Sequence, residues 1–415
     1  MTAKKIRVLI VDDSAVFVNF LTKELPQANA RIEIVGYAMS AAEAMRKIPD
    51  TKPDVITLDV EMPRMNGIDF LKELLPRHLI PVILVSSLNV SVFDALSNGA
   101  VDFVKKPDMS KNYTTRAFAQ GLATKILIAS NATVKLPRVF GGSSALKKDA
   151  PGSTKGFGTI GGMGGTGMGA GVIGGTGNAG MGAGSVGGMV NAATNATTIG
   201  NSFQKPVLSP LMPTKLHNNN RLKLNNLIIA LGASTGGTEA TLQVLERLPA
   251  DIPGMVITQH MPEGFTEMYA QRLNRLCKME VKEAVNGDVV KRGRVLIAPG
   301  GDCHMKVVRL GGHYTVRVFP AEKVNGHRPS VDVLFKSVAE TARSEAVGII
   351  LTGMGQDGAY GLLDMHNAGA YTIGQDKESC VVYGMPMVAQ NIGAVSIQSS
   401  CVNIPAVLIN YLNKL

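Results

Sequence analysis

Five short apolar runs near the start of the chain, "IRVLIV" (6–11), "RIEIVGYA" (31–38), "DVITLD" (54–59), "PVILVSS" (81–87) and "VDFVKK" (101–106), are separated by stretches such as "SAVFVNFLTKEL" and "VSVFDALSNG". The runs read as strands, and the stretches between them carry apolar residues at helical spacing. Strands alternating with helices dictate a parallel sheet covered on both faces, whose ligands bind beyond the carboxyl ends of the strands.

Those ends carry chemistry. Asp12 and Asp13 close the first run and Asp59 the third, so three carboxylates converge on one edge. Mutual repulsion among them is relieved by a hard, oxygen-seeking cation such as Mg²⁺. Ser86 ends the fourth run, and Lys106, just before Pro107, ends the fifth; Lys105 is the alternative ammonium. A cation, a hydroxyl and an ammonium around Asp59 are suited to a phosphoryl group.

Past about residue 136 the texture changes. Residues 156–190 carry no charge after Lys155 and repeat GGTG and GMGAG imperfectly, which accounts for many of the 46 glycines. Each glycine costs a helix about 1 kcal/mol relative to alanine, so a membrane helix is a poor reading and a long flexible linker a better one. It continues through an Asn/Thr/Pro-rich stretch to about 224. Regular texture returns at "NNLIIALGAS", with strand-like runs at 254–261, 294–300, 315–319, 346–355 and 370–376. Helical stretches fall at 238–248, 331–343, 358–367 and 403–413, so the C-terminal half is a second α/β domain, doubly wound and mostly parallel. The expected domains are 1–130, a linker 131–224 and 225–415.

In the second domain "GASTGG" fits G-x-S-x-G, a sharp strand-to-helix turn that exposes the hydroxyl of Ser234. It also approximates a phosphate-binding turn. Backbone N–H groups at the start of the following helix, that of Thr235 among them, are free to serve an oxyanion. His260 ends the next run, and Asp357 follows "AVGIILTGMGQDG" on a glycine-rich loop. Together they supply an attacking hydroxyl, a base near neutral pH and a carboxylate to orient it. His304 is a rival base, and Asp302 and Asp332 are rival carboxylates.

Two resemblances follow from these motifs. The first 130 residues, with "DVEMPRMNG" after the third run, resemble the receiver domain of two-component response regulators. That likeness implies a five-stranded (βα)5 fold, with Asp59 accepting phosphate from a histidine kinase and Asp12 and Asp13 helping to hold Mg²⁺. It further implies that Ser86 and Lys106 sense the phosphoryl group and that Phe103 acts as an aromatic switch. "GASTGG", "QHMP", "RPSVDVLF", "LTGMGQDGAYGL" and "SCVVYGMP" resemble the catalytic domain of chemotaxis protein-glutamate methylesterases over 226–413. This second likeness implies Ser234 as nucleophile, His260 as base, Asp357 as orienting acid and Met354 as donor of an oxyanion N–H. It also implies methylated chemoreceptors as substrates, with deamidation of their glutamines as a related activity, and no cofactor in the catalytic domain. Gln356 replaces the usual asparagine, the loop "PGGDCHM" is one residue longer, and the linker exceeds the family norm.

Charge and cysteine usage bound the remaining classes. A net charge of +10 without a basic block reads as a solvated bias, and with no helix-turn-helix after 226 nucleic acid is not an expected partner. A dinucleotide-binding module lacks the full G-x-G-x-x-G and the acidic residue after the next strand. The four scattered cysteines give neither a disulfide framework nor a zinc site. With no signal-peptide or membrane-spanning pattern, the expected location is the cytoplasm, without membrane insertion.

Overall fold

The computed structural model describes residues 4–62, 65–86, 91–107, 112–134, 216–217 and 221–415. Most of the segment assigned to the linker lies outside these residues.

The N-terminal half alternates β1 (Ile6–Val11), α1 (Ala15–Ala28), β2 (Ile32–Ala38), α2 (Ala41–Thr51), β3 (Val55–Leu58), α3 (Gly67–Leu74), β4 (Val82–Ser86), α4 (Ser91–Ser97), β5 (Asp102–Lys105) and α5 (Asn112–Ala129). Its five strands lie in the order β2-β1-β3-β4-β5, and every pairing is parallel. β3 and β4 are buried along their whole length, the expected state of central strands covered on both faces.

After α6 (Arg221–Asn226), the C-terminal half has β6 (Ile228–Ala233), α7 (Gly237–Leu245), β7 (Gly254–Gln259), α8 (Phe265–Leu276), β8 (Glu280–Glu283) and β9 (Arg294–Ile297). A hairpin follows, β10 (Cys303–Leu310) and β11 (His313–Pro320). Then come α9 (Val331–Ala342), β12 (Ala346–Ile350), α10 (Ala359–Asn367), β13 (Tyr371–Gln375), α11 (Met385–Asn391), β14 (Ile397–Ser399) and α12 (Ile404–Lys414). Seven strands form one parallel sheet, β14-β13-β12-β6-β7-β9-β8, and the antiparallel hairpin stands apart. The chain leaves β6 to one side for β7 and returns to its other side as β12, so the ends of β6, β7 and β12 border the switch point where such sheets bind ligands. Composition counted α6 with the linker up to 224, yet Leu224 is fully buried in the core.

The two halves share an apolar core. Phe93 of α4 stacks on Tyr269 of α8 at 5.7 Å, and Phe103 of β5 meets Phe265 of α8 at 4.6 Å. Around this contact Arg272 pairs with Glu239 at 3.0 Å, Ser97 donates to Glu239 at 3.0 Å, and Arg272 also bonds the Ser97 hydroxyl.

Candidate active site

Ser234 follows β6 directly, and the local sequence explains the bend. Gly236 sits at φ +76°, a conformation costly for residues with a side chain, and it begins α7. The loop after β12 comes equally close: a side chain on Gly353 would lie 2.7 Å from Ser234 Cβ and 2.3 Å from Met385 Sδ. Ser234 N–H donates to the Thr352 carbonyl at 3.0 Å, joining the two loops.

His260, immediately after β7, lies with Nδ1 3.1 Å from Ser234 Oγ and Nε2 2.7 Å from Asp357 Oδ2. A carboxylate can only accept, so the imidazole proton is on Nε2 and the Nδ1 lone pair faces the serine hydroxyl. Asp357 is buried and sits over the N-terminus of α9, where it accepts from Val331 N–H at 2.7 Å and Asp332 N–H at 3.3 Å. Ser330 Oγ donates to it at 2.7 Å and Asn325 Nδ2 at 2.9 Å. Burial opposes its charge, but the hydrogen bonds from His260, Asn325 and Ser330 hold its carboxyl well below the ordinary range. Asp357 does not cap the helix after it, because Gly358 occupies that position in α10.

The rival groups have other tasks. His304 is buried between the Glu322 carbonyl at 2.8 Å and Ser330 N–H at 3.1 Å. Asp302 pairs with Arg328 at the surface. Asp332 accepts from Gly361 N–H and Asn325 Nδ2, each at 2.6 Å, and burial raises its pKa. Among the described residues, neither Thr235 N–H nor Met354 N–H donates to another backbone group.

At the other sheet edge, carboxylate oxygens of Asp12, Asp13 and Asp59 lie within 4.8 Å of one another. Lys106 Nζ contacts Asp59 at 2.6 Å and Asp12 at 2.9 Å, whereas Lys105 is exposed. Burial raises the Asp59 pKa despite Lys106. Ser86 Oγ is buried with no hydrogen-bond partner among the described residues. The donor set is all hard oxygen and suits Mg²⁺. Phe103 is buried against α8.

Sequence reasoning missed Asn325, His327, Ser330 and Asp102. Asp102, on β5, accepts from Thr235 Oγ1 at 2.6 Å and pairs with Lys125 at 2.6 Å, so the N-terminal half grips the residue beside Ser234. The Asn-Gly pair at 325–326 was the available signal, since it marks a tight turn. Nothing local pointed to Asp102.

The CheB methylesterase family matches residues 229–408 and the response regulator receiver domain matches 8–117. A protein-glutamate methylesterase/protein-glutamine glutaminase 2 of Syntrophomonas wolfei is 43% identical over 415 residues, covering all of both chains. The chain belongs to the CheB methylesterase family. A protein-glutamate methylesterase/protein-glutamine glutaminase of Syntrophotalea carbinolica is 41% identical, over 94% of this chain and 93% of its own. The crystal structure of the Thermotoga maritima CheB methylesterase catalytic domain is 38% identical, covering 45% of this chain and 98% of that one, with a TM-score of 0.44. Among the described residues, no helix is long and apolar enough to cross a membrane.

Proposed function

We propose that the chain is a phosphorylation-activated hydrolase that cleaves glutamate methyl esters on methyl-accepting chemoreceptors and deamidates their glutamines. The 3.1 Å approach of His260 Nδ1 to Ser234 Oγ carries this reading. His260 takes the serine proton as Oγ attacks the ester carbonyl, and Asp357 stabilises the imidazolium. The N–H groups of Thr235 and Met354 receive the oxyanion. The imidazolium proton passes to the departing methoxide oxygen as its bond to the acyl carbon breaks, releasing methanol, or to the departing amide nitrogen of a glutamine, releasing ammonia, and water then hydrolyses the acyl-enzyme. Ser234→Ala should lower methanol release from methylated receptor membranes by roughly a thousandfold or more; release at the wild-type rate would remove Ser234 as nucleophile.

Asp59 is the phosphoacceptor, served by a histidine kinase. Asp12, Asp13 and Asp59 would hold Mg²⁺, which neutralises the charge of the phosphoryl group, while Ser86 and Lys106 bind its oxygens. The Asp102–Thr235 bond and the Phe93–Tyr269 stack support a docked receiver that restricts access to Ser234 until Asp59 is modified, with Phe103 repacking as the switch. Kinase and receptor domains of this kind set the activity in the cytoplasm.

A further inference from the structure

His327 lies face to face with His260, ring centroids 3.7 Å apart and planes within 8°. We propose that His327 is a positioning residue for the hydrolysis, its imidazole serving as a flat stop that keeps the His260 ring in the plane of Ser234 Oγ and Asp357 Oδ2. The inference rests on the serine–histidine–aspartate reading above.

Geometry supplies the reason. The two hydrogen bonds to His260 are made at its edge, at Nδ1 and Nε2. Edge bonds leave the ring free to tilt about the line joining the two nitrogens, and tilt spoils proton transfer because hydrogen bonds weaken steeply off axis. A parallel ring in van der Waals contact blocks that motion. The need is greatest once the serine proton has moved, when the bond between Nδ1 and Oγ reverses direction and His260 must deliver the same proton to the leaving group.

The turn that carries His327 is built for this placement. Val324 and His327 exchange backbone hydrogen bonds of 3.1 and 2.9 Å, and Asn325 and Gly326 between them have φ of +53° and +80°. That is the two-residue turn favoured by Asn-Gly. Asn325 Nδ2 then bridges Asp332 and Asp357, so the turn is anchored to the carboxylate that orients His260. Both rings therefore take their position from Asp357. Burial and the charge of His260 push the His327 pKa down to about 4, against the pull of Asp357 and with smaller help from Lys125 and Lys323. A neutral ring can face an imidazolium without like-charge repulsion, and its π face favours the cation.

The test compares His327→Ala, His327→Phe and His327→Gln in the full-length protein, by methanol release from methylated receptor membranes with a small phosphodonor. Ala and Gln should lower kcat about tenfold or more with KM within about twofold, and Phe, which restores a flat face without a nitrogen, should recover to within about threefold of wild type. Wild-type kcat in Ala, rescue by Gln but not Phe, or a loss confined to KM would overturn the proposal. Thermal unfolding of each variant is followed in parallel, and if Ala does not fold the Phe–Gln comparison decides. Ser234→Ala in the same assay separates the two ideas: if it retains activity the triad reading has failed, and if it is inactive a negative result for His327 counts against the stack alone.

Discussion

His327 also has a consequence for stability that is independent of catalysis. In the unfolded chain it titrates near its ordinary 6.5, whereas in the folded protein burial and His260 hold it down to about 4. Between those values the unfolded state binds a proton that the folded state refuses, so its contribution to stability is present at neutral pH and is lost as pH falls through that window. The thermal midpoint of wild type should therefore drop more steeply between pH 7 and pH 5 than that of His327→Phe. Parallel curves for the two proteins would mean that His327 is not held neutral.

At the level of elements, the contact of α4 and β5 with α7 and α8 decides how the two halves communicate. β5 leads directly into Lys106, which pairs with Asp59, and a few residues earlier it carries Phe103 and Asp102 at the catalytic half. One short strand thus spans the acidic cluster and the serine loop. Phe93 has no part in either site, but it stacks on Tyr269 and lies under Arg272. Phe93→Ala removes that packing and should raise methanol release without phosphodonor by about three- to tenfold while shrinking the stimulation that phosphodonor adds. An unchanged basal rate would show that the Phe93 contact does not hold the receiver over the site. The parallel sheets themselves were legible in the runs of Val, Ile and Leu, because strands buried on both faces need no polar residues. The hairpin β10–β11 was seen only in part, at 315–319, since its second face is exposed and Lys306, Arg309 and Arg317 interrupt the apolar pattern.

For the whole molecule, the acidic cluster of Asp12, Asp13 and Asp59 and the Ser234–His260–Asp357 group occupy separate sheet edges joined by a shared apolar core. In the proposed function Mg²⁺ is held at the first edge, by Asp12, Asp13 and Asp59. Removing divalent ions with a chelator should abolish stimulation by phosphodonor while the basal methanol release stays within about twofold. A basal rate that falls with chelation would place a metal requirement in the catalytic half.

Order along the chain already told which residues lie at or just past strand ends: Asp12, Asp59, Ser86 and Lys106 on one sheet, Ser234 and His260 on the other, with Asp357 on the loop after β12. A parallel sheet puts every strand end of one sense on the same side, so a shared edge was legible in the pattern, but the pattern alone did not decide between His260 and His304 or between Asp357, Asp302 and Asp332. Tertiary structure decided what surrounds them. Asn325, His327 and Ser330 reach the triad only because the turn before α9 folds back over Asp357, and Asp102 reaches Thr235, 133 residues away, only because the two halves dock. Contacts of that kind arise from side chains brought together by shape, and no local periodicity records them.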